Sequence, residues 1–147
     1  MKGIITFIQE YRYIIVPLFV WFGIQLFKLL YDLVTTKKFN FKRIMQAGGM
    51  PSSHSAVVVS LTTMIAKAEG ITSPLFGISL IFSIIVMYDA AGVRRAAGKQ
   101  AKLLNKIVET PGLSGVEVSE KLVEVLGHTP FQVIVGAVIG IIVGIVI

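Results

Sequence analysis

Apolar residues dominate four stretches of this 147-residue chain, residues 13–31, 54–68, 72–88 and 130–147. A helix that crosses a bilayer needs about 20 predominantly apolar residues, somewhat fewer where the crossing is short. Residues 13–31 meet this best, with Lys28 near the end placed to snorkel toward the headgroups. Residues 54–68 are shorter and carry Ser and Thr, which suits a helix packed inside a bundle rather than one facing lipid. The third and fourth stretches are apolar throughout. Between them, residues 93–108 repeat apolar positions at helical spacing through Val93, Ala96, Ala97, Leu103, Leu104, Ile107 and Val108. Arg95, Lys99, Lys102 and Lys106 fall at intervals of four, three and four on the same helix, so its cations form one stripe. Pro111, Gly112 and Gly115 then break the pattern. Residues 116–126 read as a second short helix with Glu117, Glu120, Lys121 and Glu124 in solvent. The expected architecture is all-α: one domain over residues 1–147, a polytopic membrane bundle of about four transmembrane helices plus a basic amphipathic interfacial helix.

Composition agrees with this pattern and removes alternatives. With 54% hydrophobic and 15% charged residues, and a mean hydropathy of +0.81, the chain is too apolar to keep its whole surface in water. There is no cysteine, which excludes disulfides, thiol catalysis and thiolate metal sites. The apolar run before Glu10 and Arg12 is too short for a cleavable signal, so the first hydrophobic helix is expected to direct membrane insertion. The net charge of +6 points to cytoplasmic loops and anionic lipid headgroups rather than to nucleic acid.

Threading four spans through a bilayer places residues 35–53 and 89–129 on one face. That face carries Lys37, Lys38, Lys42, Arg43, Arg94, Arg95, Lys99, Lys102, Lys106 and Lys121, against Lys2, Arg12 and Lys67 on the other. The excess of cations marks the first face as cytoplasmic in the cell membrane. Residues that bind a phosphate would add to the same count.

Candidate chemistry gathers on that face. Gly48-Gly49-Met50-Pro51-Ser52-Ser53-His54-Ser55 is a loop entering a helix with hydroxyl caps. A helix N-terminus attracts anions, and His54 on its first turn could protonate a leaving oxygen. An ordinary capped helix start explains the same spacing about as well. Gly127-His128-Thr129-Pro130 enters the last span in the same way, with Thr129 as the cap and Pro130 in the first turn. The chain has two histidines, and both stand at such an entrance, which suits a division of nucleophile and general acid. Asp89, Arg94, Arg95 and Lys99 follow the third span. Arg forks match phosphate oxygens and Lys adds a point charge, although a membrane-surface helix would carry the same basic stripe, most of all at Lys102 and Lys106. Asp89 could orient an Arg or His, ligate a divalent cation, or simply be solvated. Gly136, Gly140 and Gly144 have the spacing of close helix approach, read as packing within the bundle, with a homodimer face as the other use.

The strings GGMPSSHSA, DAAGVRRAAGKQA and GHTP resemble a divergent branch of the type 2 phosphatidic acid phosphatases, the superfamily that also holds bacterial acid phosphatases and vanadium haloperoxidases. Its pattern is Lys-x6-Arg-Pro, then Pro-Ser-Gly-His, then Ser-Arg-x5-His-x3-Asp. Pro51-Ser52-Ser53-His54 is similar to the second element, with Ser53 in place of Gly. The resemblance implies that Ser52, Ser53 and nearby N–H groups bind phosphate and that His54 is the general acid. His128, with Gln132 four residues on, is similar to the His-x3-Asp element, which implies a phosphorylated His128. Gln132 can fix the ring by hydrogen bonding but brings no negative charge. Leu122 stands where the third element has Arg, so its cationic role falls to Arg94 or Arg95. Lys37 or Lys38 with Arg43 resembles the first element loosely. The implied protein is a phosphatase of a lipid phosphomonoester or diphosphate that uses no metal or other cofactor. A catalytically silent protein that binds anionic lipid or scaffolds a partner is the alternative.

Overall fold

The computed structural model describes residues 2–37, 48–109, 122–124 and 126–147. It is all-α: α1 (Lys2–Glu10), α2 (Arg12–Thr36), α3 (Ser53–Glu69), α4 (Pro74–Ala91), α5 (Val93–Val108) and α6 (Pro130–Val146). Helix α1 was not expected; Tyr11 alone separates it from α2. Three of the later helices begin at hydroxyl caps. The Ser52, Ser73 and Thr129 side chains accept hydrogen bonds from the first turns of α3, α4 and α6, and Pro74 and Pro130 occupy positions where a missing N–H costs nothing. At the other ends, Lys37 closes α2 with a left-handed backbone and Gly70, at φ 81°, closes α3.

Helix α3 is the hub, packed against α2, α4 and α6. The polar residues point inward. Ser52, Ser55, Ser60, Thr62, Ser79 and Ser83 are buried, whereas Phe19, Phe22, Ile78, Ile81, Phe82, Phe131 and Ile134 are exposed. Between α3 and α4 the Thr62 and Ser83 hydroxyls lie 2.7 Å apart, and both donate to the Val58 carbonyl, at 2.9 and 3.1 Å. Between α3 and α6 the contact is nearly backbone to backbone. A Cβ on Gly140 would lie 2.6 Å from the Ala56 carbonyl oxygen, and one on Gly144 would lie 2.9 Å from that of Ser60. The glycine stripe is therefore spent within the chain, buried against α3, and is not open to a second copy.

An apolar exterior around a hydroxyl-lined interior is the reverse of a water-soluble bundle and suits a lipid solvent. Arg12–Thr36 and Pro74–Val108, the latter made of α4 and its continuation α5, are long and apolar enough to cross a membrane. Helix α6 is apolar but has 17 residues, roughly 25 Å of helix against a hydrocarbon core of about 30 Å. The expected helix over residues 116–126 is corrected where it can be seen: Leu122, Val123, Glu124 and Leu126 are not helical. Glu117, Glu120 and Lys121 lie outside the described residues.

Candidate active site

Four element ends meet at one end of the bundle: the last turns of α2, the start of α3, the end of α4 and the start of α6. The loop into α3 turns sharply at Gly48 and Gly49, with φ of 110° and 78°, values that favour glycine. Pro51 follows through a cis Met50–Pro51 bond. The Ser52 hydroxyl oxygen accepts from the Ser55 N–H at 3.4 Å and from the Ser55 hydroxyl at 3.0 Å, while the Ser52 N–H donates to the Gln132 carbonyl at 3.1 Å. Ser52 is thus fully buried and engaged in joining α3 to α6, and Ser53 is buried beside it. Ser52, expected with nearby N–H groups to bind phosphate, has its side chain and its own N–H engaged within the chain. The first-turn N–H groups of Ser53 and His54 have no acceptor within their own helix.

His128 arrives by a different route. Residues 122–124 and 126–127, just before it, lie against α5 as a non-helical strap. The Asn105 side chain holds Leu122 like a neighbouring backbone, donating to its carbonyl at 2.9 Å and accepting from its N–H at 3.0 Å. It also donates to Glu124 at 3.0 Å, so Glu124 is exposed but not simply solvated. A Cβ on Gly98 would come within 2.6 Å of the Glu124 carbonyl oxygen, and one on Gly127 would strike the Arg95 N–H. Gly127 also has φ 81°. The strap ends with the His128 N–H donating to the Ala90 carbonyl at 2.8 Å. The fifth helix is therefore a platform that carries the second histidine to the first.

The two imidazoles lie with ring centroids 5.8 Å apart and planes 66° from each other. His128 is 2% exposed, and its Nδ1 sits 3.0 Å from the Gly49 carbonyl. That acceptor fixes the tautomer: the proton sits on Nδ1 and the lone pair on Nε2. Nε2 of His128 and Nδ1 of His54 are buried without a hydrogen-bond partner. Burial, then the nearby Lys28 charge and His54, pushes the His128 pKa down to about 4, against weaker opposition from Gln132 and the Gly49 carbonyl. The ring is neutral at physiological pH.

Lys28 is the site residue that sequence reasoning missed. Instead of snorkelling outward it is 4% exposed, its Nζ donating to the Gly48 carbonyl at 3.0 Å. It lies within electrostatic reach of both histidines. A cation in the last turns of a span is ordinary, and the helical sequence carries no sign of which way it turns.

Arg95, Lys99 and Lys102 line a cleft of about 370 Å³ together with Gly49, His128 and Gln132. Lys102, which the basic stripe left divided between membrane and site, thus joins the histidine cleft; Lys106 does not line it. Arg94 departs from expectation. Its Nε bonds Asp89 Oδ2 at 2.7 Å in a half-exposed pair outside the cleft lining, although both charges reach His54 electrostatically. Gln132 forms a capping box with Thr129, its side-chain Oε1 accepting the Thr129 N–H at 3.0 Å, while the Gly49 carbonyl is the acceptor at Nδ1 of His128. Arg43 lies outside the described residues. Among the described residues no group of three or more His, Asp or Glu could hold a metal, and Asp89 is occupied by Arg94.

The chain is 39% identical to a protein named "Uncharacterized membrane protein YuiD" from Bacillus subtilis (strain 168), in a match that covers 84% of this chain and 85% of that protein. No solved structure is significantly similar to it. The family model for the Divergent PAP2 family matches residues 9–143, nearly the whole length, and the chain is a membrane protein of that family.

Proposed function

We propose that the protein is a lipid-phosphate phosphatase that works through a phosphohistidine at His128. The observation that carries this reading is the pairing of the buried His128 ring with the partly buried His54 ring, each with a buried, unpartnered nitrogen, beside a cleft lined by Arg95, Lys99 and Lys102. The phosphate of a lipid monoester or diphosphate sits in that cleft, held by the three cations and by the first turn of α3 at Ser53. Nε2 of His128 attacks phosphorus, and the P–O bond to the lipid breaks as the N–P bond forms. His54 gives its proton to the departing oxygen, so an alcohol leaves from a monoester and a lipid monophosphate from a diphosphate. The Gly49 carbonyl stabilises the charge that appears on the His128 ring through Nδ1–H. Water, deprotonated by His54, then cleaves the N–P bond and releases inorganic phosphate. In this reading α2, α3, α4 and α6 cross the bilayer, the excess of cations at this end of the bundle assigns it to the cytoplasmic face, and α5 lies along anionic headgroups.

The alternative, a silent binder of anionic lipid or a scaffold, is favoured by one observation: a backbone carbonyl, not a carboxylate, backs the His128 ring. Purified protein given a panel of lipid phosphates separates the two. Phosphate release by the wild type and its loss in His128→Ala support the enzyme. A well-folded wild type that releases none, with His128→Ala binding lipid equally, supports the scaffold.

A further inference from the structure

A second cavity lies behind the histidine cleft, and neither histidine lines it. Helices α2 and α6 both pack on α3 but barely touch one another, and the gap between them is a chamber of about 470 Å³. One face of α2, from Gly23 through Phe27 to Tyr31, forms one wall, and Val135 and Ile139 of α6 form the other. Along α2 the chamber extends roughly 12 Å at the ~1.5 Å rise of an α-helix. Its lining is apolar apart from Lys28 and the phenol hydroxyl of Tyr31. Lys28 enters it at the end where Met50 and Pro51 close the wall, and that lysine also holds the Gly48 carbonyl. The next carbonyl along, Gly49, holds the ring of His128. The chamber and the catalytic cleft are thus two rooms separated by one glycine turn, with a cation at the shared wall.

We propose that this chamber binds the first part of a single hydrocarbon chain, alkyl or prenyl, of the phosphate ester whose headgroup occupies the histidine cleft, with Lys28 as the cation at the junction. The inference rests on the phosphatase reading for its substrate and deepens it by naming the chain. Size, apolar walls and one charged end suit a single-chain amphiphile with an anionic head. A bilayer chain with no phosphate lacks the group that Lys28 would meet.

Gly23 gives the cleanest test, because a side chain there has nothing within 4 Å and would grow into the chamber from an unstrained helix; Gly77 on α4 is equally open but lies outside the chamber. Two measurements are made on the whole protein in detergent. In the first, photolysis of a hexadecyl phosphate bearing a diazirine is followed by mapping of the labelled residues. Labelling is expected at Ile24, Phe27, Val135 or Ile139, reduced at least tenfold in Gly23→Leu and unchanged in Gly77→Leu. Equal labelling by the matching hexadecanol probe, or labelling spread over α4, overturns the proposal. In the second, the ratio of kcat/KM for hexadecyl phosphate to that for butyl phosphate is compared among the same variants. A ratio that falls at least tenfold in Gly23→Leu and holds in Gly77→Leu supports the chamber; a ratio unchanged in Gly23→Leu overturns it. Confined labelling without phosphate release from any ester would uphold the binding site while removing the phosphatase reading.

Discussion

His128 shows how a few neighbours set the chemistry of one side chain. Its Nδ1 faces the Gly49 carbonyl and Nε2 is left with a lone pair in a buried cleft. Because burial and Lys28 push its pKa down to about 4, the ring stays neutral where a free imidazole, at about 6.5, would protonate. The acid limb of kcat/KM assigned to this residue should therefore fall near pH 4, with activity lost as pH drops through that value. The same sign applies to stability. Between about 6.5 and 4 the unfolded chain takes up a proton at residue 128 that the folded one refuses, so this residue weakens the fold on acidification. Gln132→Glu keeps a capping box, since Glu serves as well as Gln at that position, but places a carboxylate near the ring. Its acid limb should move to higher pH with activity retained; an unmoved limb would show that position 132 does not act on the nucleophile. His128→Ala should abolish turnover and any trapped phosphoenzyme. His54→Ala should slow turnover about 100- to 10,000-fold on alkyl esters and less on esters whose leaving group needs no proton.

At the scale of elements, glycine positions carry the assembly. The α3–α6 contact tolerates no added atom at Gly140, where a Cβ would lie 2.6 Å from a backbone oxygen. Gly140→Ala should cost about 1–3 kcal/mol by overpacking, read as a lower Tm in detergent, whereas Gly77→Ala, in open space, should not lower it. Gly127→Ala meets both a left-handed backbone and the Arg95 backbone. It should displace the strap and with it His128, so turnover should fall far more than Tm. Helix positions were legible because hydroxyl caps, prolines and glycines stand at their ends. The strap was not, because residues 116–126 carry the spacing of a short helix, whereas Leu122, Val123, Glu124 and Leu126 are non-helical and lie against Asn105 and Gly98 of α5. Helix α1 was missed because an apolar run that short does not announce a span, and helix is favoured there by continuity with α2.

For the whole molecule, the connections return His54, Asp89 and His128 to one end of the bundle, while Lys67 caps the Ile145 carbonyl at the other. Single cysteines introduced into the cysteine-free chain at Lys37 and Glu109 should react with an impermeant thiol reagent from one side of the membrane, and a cysteine at Glu69 from the other. Opposite accessibility of positions 37 and 109 would remove the four-crossing arrangement. The sequence by itself determined the all-α class, the places of the main helices though not all their ends, the family, and the two histidine-bearing entrances, because each depends on periodicity, capping chemistry or short strings of adjacent residues. Tertiary structure alone decided which way Lys28 turns, that Arg94 is taken by Asp89 while Lys102 joins the cleft, that the Gly49 carbonyl is the acceptor at Nδ1 of His128, and that the glycine stripe is spent on α3. Those outcomes depend on the rotation and separation of helices far apart in the chain, and side-chain spacing within one helix does not encode them.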